Sequence, residues 1–364
     1  MATALATVHD RMNSRRMSHL PYRNFVHLNQ DEAYELMRRM LAGEMSTEGI
    51  AEVLSFLRRK GETIAELVGF ASAIREVSQP VQIDQSSSEP VLDTCGTGGD
   101  GTNCFNISTA TAFVAAGAGL RVAKHGNRRI SSQCGSADVL EALGIPITLS
   151  PVQVAGCIRE TGIGFLYAPL LHPAVKHAQE ARLLLKGRTV FNLLGPLTNP
   201  VRARVPLIGA FSVRVAEMLA QASARLGIDR AFVVHAADGL DEVSTTGLTT
   251  VFQVEENRVQ KGRWVPADFG LPPASVDDLK GGDPETNARI VRSVLEGEAG
   301  PHRDIVVANA AAAIFLAQRA IDLKSAVAVA AESIDSGAAR RKLESLIEFT
   351  ARLDNGQTAN QTST

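Results

Sequence analysis

Nine consecutive residues, Asp93-Thr94-Cys95-Gly96-Thr97-Gly98-Gly99-Asp100-Gly101, hold four glycines and two carboxylates. Glycine at this density lets a backbone approach an anion and turn its N–H groups toward it. The apolar Pro90-Val91-Leu92 ahead of the stretch reads as a strand. Asn106-Ile107-Ser108-Thr109-Ala110-Thr111-Ala112 behind it reads as the capped start of a helix. A glycine turn between strand and helix predicts a phosphorylated ligand. The loop lacks the lysine of the G-K-[ST] motif, and its spacing is not GxGxxG, so it is neither of the common nucleotide loops.

An isolated glycine cluster is as often a tight turn as a binding loop. The next strand end shifts that balance. Val122-Ala123-Lys124-His125-Gly126-Asn127-Arg128-Arg129 follows another short apolar run and leads to Ser131, Ser132, Gly135 and Ser136. One loop supplies backbone donors and the other Lys and Arg. In parallel sheets the carboxyl ends of strands are where ligands bind. Further along, Asp241-Glu242 follows the apolar Phe232-Val233-Val234. Adjacent acids are usually solvated surface charges, but a position after a buried strand moves them toward the same edge.

The elements that must position these loops are legible in outline. Residues 1–27 read as a tail with no apolar secretory core. Residues 28–78 read as three amphipathic helices. Asn29 caps the first and Gly43 ends it. Ser46 caps the second and Gly61 ends it. Thr63-Ile64-Ala65-Glu66 is a capping box for the third. Residues 79–90 are polar and proline-bearing, a linker. From 91 to 354 strands and helices alternate. Ser150-Pro151 starts a helix that Gly162 ends, and strands Val205–Phe211 and Ala231–His235 flank a helix over Val213–Leu226. That alternation predicts an α/β fold with a mainly parallel central sheet. Residues 355–364 form a polar tail.

Length and composition agree with a soluble enzyme. The chain has 364 residues, room for more than one domain, and 37 Lys and Arg against 39 Asp and Glu. A near-zero net charge argues against nucleic acid as a main partner. The four cysteines, Cys95, Cys104, Cys134 and Cys157, have no metal spacing and read as reduced thiols of a cytoplasmic protein. Ile305–Leu316 is too short to span a membrane.

GTGGDG, FNIST (105–109), KHGNR (124–128), GSADVLEALG (135–144), TVFNLLGPLTNP (189–200) and DGLDE (238–242) occur in this order. Together they resemble the anthranilate phosphoribosyltransferases, over roughly residues 28–350. The resemblance implies a nucleoside-phosphorylase-like fold, in which a small N-terminal helical domain meets a larger α/β domain at a cleft. It also implies that a central segment, here 172–188, joins the helical domain, through which family members form homodimers. The implied reaction moves the phosphoribosyl group of phosphoribosyl pyrophosphate, with Mg²⁺, to the amine of anthranilate.

By that resemblance, Gly96, Gly99, Asp100, Cys104, Asn106, Ile107, Ser108, Thr109, Lys124, Ser132 and Ser136 line the phosphoribosyl pyrophosphate. Ser136 on its own reads as a helix cap. Gly96, His125, Asn127 and Arg182 contact anthranilate, and Ser108, Asp241 and Glu242 hold the metal. No residue is assigned acid–base work. An aromatic amine is neutral near pH 7, so the task is to hold two substrates in line and neutralise departing pyrophosphate. Two positions depart from the family pattern. Cys104 stands where a hydroxyl is common, and Arg182 is followed by Leu183-Leu184-Leu185 rather than charged residues. Rival readings are a pyrimidine nucleoside phosphorylase and a catalytically silent nucleic-acid-binding homologue.

Overall fold

The computed structural model describes residues 27–84, 89–99, 101–128 and 133–361. Its N-terminal helices are α1 (Gln30–Leu41), α2 (Thr47–Lys60) and α3 (Ile64–Val77). Asn29, Ser46 and Thr63 accept the expected cap bonds from Glu32, Gly49 and Glu66. Helix α3 crosses α1 closely. A Cβ on Gly69 would meet Ala33 Cβ at 2.8 Å, so only glycine admits this approach. One ion pair is buried here. Lys60 Nζ lies 2.6 Å from Glu66 Oε2. The carboxylate also accepts the backbone N–H groups of Leu28 and Thr63. A buried charge is tolerable only with its hydrogen-bonding capacity used in this way.

Seven strands form one sheet in the order β3-β2-β1-β4-β5-β6-β7. They are β1 (Val91–Gly96), β2 (Arg121–Gly126), β3 (Ile163–Tyr167), β4 (Val205–Gly209), β5 (Arg230–Ala236), β6 (Thr249–Glu255) and β7 (Arg258–Trp264). The first five neighbours in the sheet run parallel, and β6 and β7 pair antiparallel. The mainly parallel expectation holds, with a terminal hairpin added. Its turn, Glu256-Asn257, has positive φ at both residues, the conformation of a two-residue hairpin.

Successive strand residues serve opposite faces. Leu207, Phe232 and Val234 join a core with α4 (Ile107–Gly117) and α11 (Pro301–Leu316). Ile208, Val233 and Phe252 join a second core with the N-terminal helices and α9 (Val213–Arg225). Longer helices among the described residues are also α5 (Ser136–Ala142), α6 (Pro151–Thr161), α7 (Lys176–Leu185), α8 (Val190–Leu194), α10 (Pro284–Leu295), α12 (Leu323–Asp335) and α13 (Ala338–Gln361). Helix α7 packs on α2 and α1, and its Ala178 and Ala181 are buried in the second core. Arg75 of α3 bonds the carbonyls of Leu197 (2.7 Å) and Leu226 (3.2 Å). Burial pulls its pKa down to about 10. The apolar 305–316 run is the interior of α11, and no helix among the described residues is long and apolar enough to cross a membrane.

Candidate active site

The chain reverses its direction of travel across the sheet at β1. It goes to β2 and β3 on one side and to β4 and β5 on the other. Ligands in open α/β sheets sit at such a switch point, beyond the carboxyl ends of the strands. Here β1 and β4 end side by side on Gly96 and Gly209. The loop after β5 lies across both. A Cβ on Gly96 would meet Asp241 Oδ2 at 2.5 Å, and one on Gly209 would collide with the Asp241 backbone. These two glycines bring the acidic pair over the glycine loop, and Gly98 N–H donates to Asp241 Oδ2 at 2.9 Å.

A cavity of 320 Å³ opens there. Gly96, Gly98, Gly99, Cys104, Asn106, Ile107, Ser108, Lys124, Ser136, Asp241 and Glu242 line it. Gly98 and Gly99 have φ of +66° and +72°, left-handed values that favour glycine. Lys124 is buried. Its Nζ donates to Thr94 O (2.5 Å) and to Ser108 Oγ (3.1 Å). Burial lowers its pKa, while the charges of Asp93, Glu242 and Asp241 favour the ammonium form. Asp93 is fully buried below the site. It accepts His125 N–H at 3.0 Å and Asn199 Nδ2–H at 2.7 Å.

A second cavity, of 570 Å³, lies toward the helical domain. Its wall includes Ile74, Tyr167, Pro169, His172, Arg182, Phe191 and Leu194. Gly96, Thr97, His125, Gly126, Asn127 and Asn192 line both cavities. His125 Nδ1 lies 3.1 Å from the Gly195 carbonyl. Only a protonated Nδ1 can make that bond, so the neutral ring keeps a bare lone pair on Nε2. That atom is buried with no hydrogen-bond partner among the described residues, as are both ring nitrogens of His172. The two rings meet edge to face at 5.1 Å. Burial holds the His125 pKa below its ordinary value and that of His172 down at about 3. The Arg182 guanidinium is half-buried over the Phe191 ring at 5.1 Å, and burial lowers its pKa.

Several sequence expectations need correction. Asn106 occupies the N-cap of α4 but makes no side-chain cap bond, because its amide bonds Asn287 and Cys134 instead. Ser136 is not a cap either. Gly135 holds that position, its N–H taken by Asp138, and Ser136 Oγ bonds the Asn127 backbone. Thr109 does not line the cavity; it stands in the first turn of α4 with its hydroxyl buried. Arg128 is not a free cation for phosphate. It pairs with Glu141 (2.8 Å) and Asp138 (3.2 Å). Asp100, Arg129, Ser131 and Ser132 lie outside the described residues. Gly96, His125, Asn127 and Arg182 all line the second cavity.

Residues 22–78 match the family described as glycosyl transferase family, helical bundle domain, and residues 88–340 match glycosyl transferase family, a/b domain. Anthranilate phosphoribosyltransferase from Solibacter usitatus is 54% identical over 325 residues, covering 89% of this chain and 95% of that protein. The chain belongs to the anthranilate phosphoribosyltransferase family. Among solved family structures, that from Thermus thermophilus is 42% identical with a TM-score of 0.85, covering 90% of this chain and 97% of that one. The Saccharomyces cerevisiae enzyme in complex with PRPP and Mg is 29% identical with a TM-score of 0.82, covering 96% and 98%. Within the family frame, sequence reasoning passed over Asn192, Asn199 and His172. The first two sit in TVFNLLGPLTNP, a motif quoted for its likeness and given no task. The structure shows its task. Gly195 O anchors the His125 ring, Asn199 braces Asp93 and the Ala123 carbonyl, and Asn192 lines the junction of the cavities.

Proposed function

We propose that this chain transfers the phosphoribosyl group of phosphoribosyl pyrophosphate to the amine of anthranilate, releasing pyrophosphate. The observation that carries the reading is a pair of cavities of opposite chemistry that share a wall at the switch point of the sheet. The glycine loop, Lys124 and the first turn of α4 suit the phosphates. The larger cavity suits an aromatic ring, with Arg182 facing the anthranilate carboxylate as a charge-assisted partner. The bare His125 Nε2 can accept a hydrogen bond from the amine. Bond formation then needs the amine in line with the anomeric carbon, and the shared wall, which Asp93 and Gly195 brace at His125, fixes that alignment.

Asp241, Glu242 and Ser108 offer hard oxygen donors beside this cavity. Among the described residues no three His, Cys, Asp or Glu side chains converge on one point. That set fits Mg²⁺, which keeps several waters and shares its coordination with substrate phosphates. When bound, Mg²⁺ supplies the positive charge that neutralises the leaving pyrophosphate. We further infer a homodimer through the helical domain, in the cytoplasm. Leu183 and Leu184 of α7, 67% and 63% exposed, offer apolar area for it.

Anthranilate fluorescence tests the activity. It should fall when phosphoribosyl pyrophosphate and Mg²⁺ are added together and stay constant when either is omitted. Release of free base from thymidine and phosphate, with no loss of anthranilate, would instead mark a nucleoside phosphorylase.

A further inference from the structure

Asn287 lies on α10, nearly two hundred residues after the glycine loop, and is 2% exposed. Its Oδ1 accepts Gly282 N–H at 2.7 Å, and its Nδ2 donates to Asn106 Oδ1 at 2.9 Å. Asn106 Nδ2 in turn donates to the Cys134 carbonyl at 3.3 Å. The segment before α10 is pressed onto the cavity loop. Phe105 N–H bonds Leu279 O, Gly281 N–H bonds Asn103 O, and a Cβ on Gly281 would meet Phe105 Cα at 2.7 Å.

An N-cap asparagine ordinarily folds its carbonyl back onto its own helix, accepting an N–H of the first turn. Asn29 does so in α1. Asn106 does not, although it holds the same position in α4. The oxygen that would cap is held by Asn287. The Asn287 amide cannot flip, because its other end is fixed by Gly282 N–H. We propose that Asn287 is a positioning residue for the phosphate cavity. It keeps Asn106 from capping α4 and holds its NH₂ edge at the cavity that Asn106 lines. The first turn of the helix then stays unsealed by its own cap, as anion binding requires.

This inference rests on the phosphoribosyl-transfer reading, and the experiment separates the two. The KM of each substrate is measured for the wild type, Asn287→Asp, Asn287→Ala, Asn106→Ala and the double variants, with near-UV circular dichroism as a folding check. Asn287→Asp keeps the acceptor for Gly282 and loses the donor to Asn106; Asn287→Ala is the second route to the same loss. Both should raise the KM for phosphoribosyl pyrophosphate about tenfold and leave that for anthranilate within about twofold. In the Asn106→Ala background the same changes should add less than about twofold, because Asn287 acts through Asn106. Fully additive effects, or equal rises in both KM values, would overturn the proposal. So would an Asn106→Ala variant with unaltered donor KM, although the transferase reading would then stand. Only a wild type that consumes no anthranilate would sink that reading as well.

Discussion

The two cavities solve opposite electrostatic problems. The smaller one gathers charge. Lys124, Asp93, Asp241 and Glu242 lie within a few residues of strand ends, and the buried charges among them are held by hydrogen bonds. The larger one is more apolar, with the cations Arg128, Lys176 and Arg182 in its wall. Its two histidines are held neutral by burial, three of their four ring nitrogens have no hydrogen-bond partner among the described residues, and Arg182 is its half-buried cation. A site that binds several phosphate charges must have its dipoles in place beforehand, since reorganising them during reaction costs rate. A site for one planar aromatic acid needs shape, one cation and few competing dipoles. The shared wall is therefore where the polar and apolar designs meet, and substitutions on either side should affect different substrates.

The largest separation should come from the acidic pair. Asp241→Asn with Glu242→Gln removes the charge that would hold Mg²⁺, and turnover should fall on the order of a thousandfold. Near-UV circular dichroism should be unchanged. Wild-type turnover at saturating Mg²⁺ would show that the carboxylates serve only to hold the loop. On the other side, Arg182→Ala should raise the KM for anthranilate about ten- to a hundredfold, the cost of one charge-assisted contact of roughly 1.5–3 kcal/mol. The donor KM should barely move. Arg182→Lys should recover part of the loss, because an ammonium lacks the planar fork. Equal small changes in both constants would mean that Arg182 only stacks on Phe191.

The glycine loop should give a smaller effect of the opposite kind. A Cβ on Gly98 meets nothing within 4 Å, so Gly98→Ala costs backbone strain of about 1–2 kcal/mol rather than a clash with protein. Donor affinity should drop roughly tenfold while anthranilate affinity holds, as read by titration calorimetry with each substrate. Unaltered donor affinity would remove this loop as the phosphate cradle.

The smallest effect concerns pH. His172 has a folded pKa of about 3 against an ordinary 6.5, so the unfolded chain binds the extra proton first. Its contribution to stability is therefore full above the unfolded value and is lost as pH falls from about 6.5 toward 3. Thermal unfolding between pH 7 and 5 should show a shallower acid decline in His172→Gln than in the wild type, by at most one proton. Anthranilate KM should stay nearly flat across that range in both. A parallel decline in the two proteins would mean that His172 is reached by water.

Local chemistry wrote much of this fold into the chain. The caps at Asn29, Ser46, Thr63 and Ser150, the left-handed stop at Gly162 and the glycine loop after β1 depend on residues within a few positions of one another. Their meaning survives without a tertiary context. The acidic pair and the lysine were legible because one follows an apolar strand and the other stands near the end of one, and a parallel sheet brings such strand ends to one edge. What the sequence could not carry were the bonds that cross it. Asn106 reads as a cap by every local rule, yet a residue 181 positions away takes its oxygen. Arg128 reads as a phosphate ligand until α5 folds Glu141 and Asp138 against it. The hairpin of β6 and β7, the brace from Asn199 to Asp93 and the neutrality of His172 likewise depend on which surfaces meet. Hydrogen-bond capacity and desolvation are decided by the partners that packing supplies, and packing is a property of the whole chain.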